Sequence, residues 1–98
     1  MKQIVKIPFK ELCETCFEAI ECEKCKYENC CDKEYKNFLR KNNEEIRKSA
    51  LKKKTYIMCD MGDISTLVPS DFINYDTGEF MLDEDFGGKE IEYEIDND

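Results

Sequence analysis

The chain is 98 residues long, 39% of them charged, with a formal net charge of −8, no histidine, no tryptophan and only 4 glycines. Without an imidazole base, Ser–His and Cys–His catalytic pairs are excluded. The scattered glycines form no phosphate-cradling loop, and there is no run of about 20 apolar residues of the kind that spans a membrane.

At this length a single domain (1–98) is expected, burying only about 60–65% of its unfolded surface and so calling for a staple beyond its core. The apolar run Ile4-Val5 is interrupted at Lys6, too short for a secretory signal. The expected compartment is therefore a reducing cytoplasm, where clustered thiols are metal ligands more often than disulfides. Charge divides the chain into three blocks. Residues 1–32 carry five Lys against seven Asp/Glu (−2), residues 33–54 nine Lys/Arg against three Glu (+6), and residues 55–98 one Lys against thirteen Asp/Glu (−12).

In chain order, Gln3 to Ile7 reads as a short strand stopped by Pro8. From Phe9 to Glu21 the residues Phe9, Leu12, Cys13, Cys16, Phe17 and Ile20 share one face at helical spacing, with Glu11, Glu14, Glu18 and Glu21 on the other. Cys22 to Cys31 lacks periodicity and reads as a loop. Asp32 is a candidate N-cap for a second helix over 33–54, carrying Tyr35, Phe38, Leu39 and Ile46 at steps of three and four. Asn42 and Glu45 have the spacing of a capping box, which predicts a break and restart there. Lys52-Lys53-Lys54 suit the negative end of the helix dipole.

Past Lys54 the pattern turns to strands. Thr55–Asp60 and Ser65–Val68 are predicted strands, joined by a Met61-Gly62-Asp63 turn and ended by Pro69. Phe72–Tyr75 and Phe80–Leu82 flank Asp76-Thr77-Gly78-Glu79, a hairpin signal with glycine placed for positive φ. Gly87-Gly88 punctuates again. Glu90, Glu92 and Glu94 then alternate with Ile91, Tyr93 and Ile95, as in a strand buried on one face. The predicted class is α+β, with Cys-rich helical segments packed on a small antiparallel sheet drawn from residues 55–95 and joined by Gln3–Ile7.

Seven cysteines are present. Cys13/Cys16 and Cys22/Cys25 form two Cys-x2-Cys pairs, followed by the adjacent Cys30 and Cys31, whereas Cys59 falls in a predicted strand and reads as core. Zinc takes four soft ligands in a tetrahedron, and a Cys-x2-Cys knuckle supplies two. The five-residue return between the pairs is tighter than in common zinc modules, so all six N-terminal thiols stand as ligand candidates. An iron–sulfur cluster is the alternative cofactor. Burial of Cys13 and Cys16 as small hydrophobes is the competing structural reading.

The carboxylates Asp83, Glu84, Asp85, Glu90, Glu92 and Glu94 are the candidate partner-binding residues, a field that attracts basic surfaces and repels nucleic acid. The spacing of Asp83, Asp85, Gly88 and Glu94 echoes a calcium loop, but the strand-like sequence that follows replaces the exit helix, so the match reads as chance. Asp60 and Asp63 could hold magnesium, but nothing sets them apart in an acid-rich chain. The basic stretch containing Arg40, Lys41, Arg47, Lys48, Lys52, Lys53 and Lys54 reads foremost as a solvated face beside the acidic half, and otherwise as a track for phosphates. The expected function is that of a non-catalytic, zinc-stabilised acidic module. It would regulate or inhibit a protein with a basic, nucleic-acid-binding surface, for example as a phage or mobile-element anti-defence protein mimicking DNA charge. A zinc module binding nucleic acid through 33–54 and an iron–sulfur or redox accessory protein are the alternatives, with no membrane association.

Overall fold

A computed structural model describes residues 2–19, 27, 30, 33–55 and 63–96. Strand β1 (Lys2–Pro8) leads directly into helix α1 (Phe9–Glu18). Helices α2 (Glu34–Lys41) and α3 (Asn43–Lys52) follow, then two 3-10 turns at Ile64–Thr66 and Pro69–Phe72, a one-turn helix α4 (Glu84–Gly87) and strand β2 (Glu90–Asp96). The class is mixed helix and antiparallel sheet, as predicted.

The sheet itself is drawn differently. Among the described residues it has two strands, β1 and β2, antiparallel and in register from Lys2 opposite Asp96 to Pro8 opposite Glu90. β2 alternates as the sequence indicated and β1 alternates with it, so Val5, Ile7, Ile91 and Tyr93 share the inner face while Ile4, Lys6, Glu92 and Glu94 share the outer one. The expected sheet within 55–95 is not present among these residues. Ser65–Val68 is no strand, because Asp63 captures the backbone locally. Its Oδ1 accepts hydrogen bonds from Ser65 N–H (3.0 Å) and Ser65 Oγ (2.7 Å), and Thr66 Oγ1 donates to the Asp63 carbonyl (2.8 Å). The predicted hairpin is reduced to a single bridge between Ile73 and Phe80, with Gly78 at φ +72° in the turn. The strand predicted at 55–60 lies, but for Thr55, outside the described residues, as do Asp32 and most of the loop after α1.

Pro8 has no amide proton and no side-chain acceptor with which to cap α1. The first helical N–H, that of Phe9, instead donates to the Lys89 carbonyl (2.7 Å), which ties the β1–α1 junction to the start of β2. Phe9 then becomes the hub of the core. Its ring lies 5.0–5.9 Å from those of Tyr35, Phe38, Phe72, Phe80 and Phe86, drawing α1, α2, the second 3-10 turn, the hairpin and α4 together.

The break at Asn42 is present, but the capping box is not. The Asn42 side-chain amide donates backward to the Phe38 carbonyl (2.9 Å), closing the end of α2, while only its backbone carbonyl serves α3, accepting from Ile46 N–H (3.0 Å). Helix α3 ends at Lys52, within the lysine run as expected. Its last carbonyls are closed by Lys54 N–H to Leu51 (3.0 Å) and Thr55 N–H to Ala50 (2.7 Å), with Lys54 in the left-handed region at φ 58°.

Candidate functional site

Helix α1 places Cys13 and Cys16 one turn apart on its inner side, Cys13 fully buried and Cys16 half-buried. Cys30 is also fully buried, and its N–H donates to the Tyr27 carbonyl (3.0 Å). Tyr27 in turn reaches α1 through its hydroxyl, 3.4 Å from Glu11 Oε1. Cys13 and Cys30 belong to the same hydrophobic cluster, with Cys16 packed against it. Among the described residues no three Cys, Asp or Glu side chains converge as a metal site. Cys22, Cys25 and Cys31 lie outside those residues, as does Cys59.

The six candidate carboxylates divide between α4 and β2. Asp83 is the N-cap of α4, its Oδ1 accepting from Phe86 N–H (2.8 Å), while Lys52 Nζ stands 3.4 Å from Oδ2. The backbone bond from Phe86 is the largest influence lowering its pKa, with Lys52 adding to it and partial desolvation opposing. Asp83 N–H donates to the buried Ser49 Oγ (2.6 Å), which fastens α4 to α3. Glu84 lies 3.8 Å from Lys10, Glu92 3.4 Å from Lys6 and Glu94 3.8 Å from Lys2. Asp85 and Glu90 are exposed. The acidic half therefore draws counter-charges from β1, α1 and the end of α3. The calcium-like spacing is spent on a helix cap at one end and a strand face at the other.

A cleft of about 390 Å³ opens between α1, the hairpin and α4, with Phe17, Ile73 and Phe80 as its apolar lining and Glu14, Glu18, Glu79 and Glu84 around them. Lys53 Nζ donates to the Phe80 carbonyl (2.7 Å), and Lys10 lies 3.9 Å from Glu14 and 3.8 Å from Glu84. Tyr75, 72% exposed, packs against the Phe17 of this lining with ring centroids 5.3 Å apart.

No family model, curated protein or solved structure matches the chain.

The cleft was not legible in the sequence, because its walls are some sixty residues apart. The signal that was present is modest: Glu14, Phe17 and Glu18 share one side of α1, and Tyr75 stands in a turn where exposed aromatics are uncommon. Chemically the cleft offers apolar and aromatic surface beside carboxylates, which suits the aliphatic stem and cationic head of a lysine or arginine. No helix is long and apolar enough to cross a membrane among the described residues.

Proposed function

We propose that this chain is a non-catalytic protein-binding module, a regulator or inhibitor that takes hold of a partner's basic, nucleic-acid-binding surface, with a structural zinc ion held by its N-terminal thiols. The observation that supports it is the aromatic cleft rimmed by Glu14, Glu18, Glu79 and Glu84. An incoming arginine lays its stem on Phe17 and Tyr75 and meets Glu18 and Glu79, neither of which is paired with a lysine among the described residues. The exposed pairs of Lys10, Lys6 and Lys2 with their carboxylates are each worth about 0–1 kcal/mol, so a basic partner displaces them at little cost. The remaining acidic field speeds encounter and sets orientation more than it adds affinity.

The test is a titration of the full chain into a labelled arginine-rich peptide, at low salt and again at about 0.15 M, where the Debye length has shrunk to about 8 Å. Binding that weakens steeply with salt, and that falls further in Glu18→Gln/Glu79→Gln and Tyr75→Ala variants, is expected. Binding indifferent to salt and to those variants would sink the proposal.

A further inference from the structure

Lys10 stands between two cavities. It lines the cleft between α1, the hairpin and α4, and also a second cavity of about 340 Å³ toward Pro8 and Gly88. The two cavities have Lys10, Glu14 and Glu84 in common. The Lys10 ammonium lies 3.9 Å from Glu14 and 3.8 Å from Glu84, so this bridge from α1 to α4 is the wall they share. Gly87 seats the lysine stem: a Cβ built there meets Lys10 Cβ at 3.1 Å and Cδ at 3.6 Å. The chain thus supplies its own cation at this point, its stem packed on α4 and its head held by two solvent-weakened contacts.

One flank of α1 runs past both cavities. Glu11 lines the second, Glu18 the first and Glu14 each of them, at steps of three and four along the helix. Against these carboxylates and Glu79 and Glu84, the described lining sets only Lys10 and Lys53. Lys53 is given to the Phe80 carbonyl (2.7 Å). At 1.5 Å per residue, Glu14 and Glu18 are about 6 Å apart along the axis of α1. Two residues of extended chain advance about 6.6 Å and return the side chain to the same side. A peptide laid along α1 with one cation at Glu18 and Glu79 therefore brings the side chain two positions away to Glu14 and Glu84, where Lys10 sits. Adjacent basic residues would point to opposite sides, and only one of them would reach the carboxylates.

Resting on the reading of the cleft as a cation site, we infer that the two cavities form one groove for an extended partner segment with basic residues at alternate positions, and that Lys10 is the resident cation which the second of these displaces.

The test is fluorescence anisotropy at low salt with three short labelled peptides: arginines at alternate positions, two adjacent arginines, and a single arginine. Each is titrated with the full chain and with Lys10→Gln. Lys6→Gln, which frees Glu92 on the outer face of the sheet, is the control of equal net charge. Lys10→Gln is expected to raise affinity for the alternating peptide about fivefold and to leave the other two within about twofold. Lys6→Gln leaves all three within about twofold. Adding Glu84→Gln to Lys10→Gln takes the gain back. Lys10→Met keeps the apolar stem on Gly87 and is expected to give the same gain, with melting curves to check that each variant folds. A gain no larger than that of Lys6→Gln, or one shared by all three peptides, overturns the inference and leaves the cation-binding cleft standing. Failure of every peptide to bind the parent chain and the variants overturns both.

Discussion

Lys54 occupies a position that helices normally give to glycine. It is the residue past the end of α3 whose left-handed φ of 58° lets the next amide reach back to the Ala50 carbonyl. A side chain there is disfavoured by contact between Cβ and the following carbonyl, so Lys54→Gly is expected to stabilise the fold by about 1 kcal/mol, read as a higher Tm. Asp83 illustrates the other side of residue-level control. Its carboxylate is held below its ordinary value of about 3.9 by the Phe86 amide first and Lys52 next, so the charged form is preferred in the fold. The sign follows directly: its contribution is complete well above pH 4 and is lost as pH falls below about 4, through the lowered folded value. An Asp83→Asn variant should therefore show a shallower loss of Tm on acidification than the parent chain.

Among the elements, α4 is the point where α1, α3 and the hairpin converge. Gly87 marks the contact with two of them: a Cβ built there meets Lys10 Cβ and the Phe80 ring at 3.1 Å. Gly87→Val is expected to push α4 off α1 and cost about 1–3 kcal/mol, measured by denaturant unfolding with an unchanged m-value. Nothing in the sequence around Gly87-Gly88 beyond a turn signal announced this close approach, since Lys10 lies near the other end of the chain. What could be read locally was the alternation of Glu90–Ile95, the inner face of α1 from Phe9 to Cys13, the end of α3 in its lysines and the positive φ of Gly78. What could not be read was set by competition between side chain and backbone. Asp63 with Ser65 and Thr66 outweighed the β-preference of Ser65–Val68, and Asn42 closed the helix behind it rather than capping the one ahead. Of the candidate site, the cleft was not legible; only the carboxylates, most of them outside it, were, by residue type. The carboxylates of β2 and α4 were identified from their spacing, but their lysine partners come from β1, α1 and α3, which only the fold brings near.

For the molecule as a whole, Phe9 carries an unusual share of the packing. Five rings from four other elements surround it, so Phe9→Ala leaves a central void and is expected to cost about 3–5 kcal/mol, a large part of the total for so small a domain. The chain with wild-type Phe9 should melt cooperatively, and the variant should be largely unfolded at ambient temperature in a circular dichroism scan. The proposed zinc staple belongs to this scale too. Native mass spectrometry of protein purified without oxygen should give the mass of one or two zinc ions with no visible colour, and chelation should unfold the chain. Apo protein that keeps its fold would leave Cys13 and Cys30 as core hydrophobes, and a coloured sample would point to iron and sulfur.

The pairing of β1 with β2 has a consequence for how the chain reaches this state. Lys2 finds its partner in Asp96, so the sheet closes a loop of more than ninety residues, whereas the contacts within α1, α2 and α3 are all short-range. Loop closure over that distance is entropically expensive before any β hydrogen bond repays it. On the ribosome the first strand must wait, unpaired and with Ile4, Val5 and Ile7 exposed, until the last has been made. The same wait holds for Phe9, whose ring partners Phe72, Phe80 and Phe86 are made only shortly before that last strand.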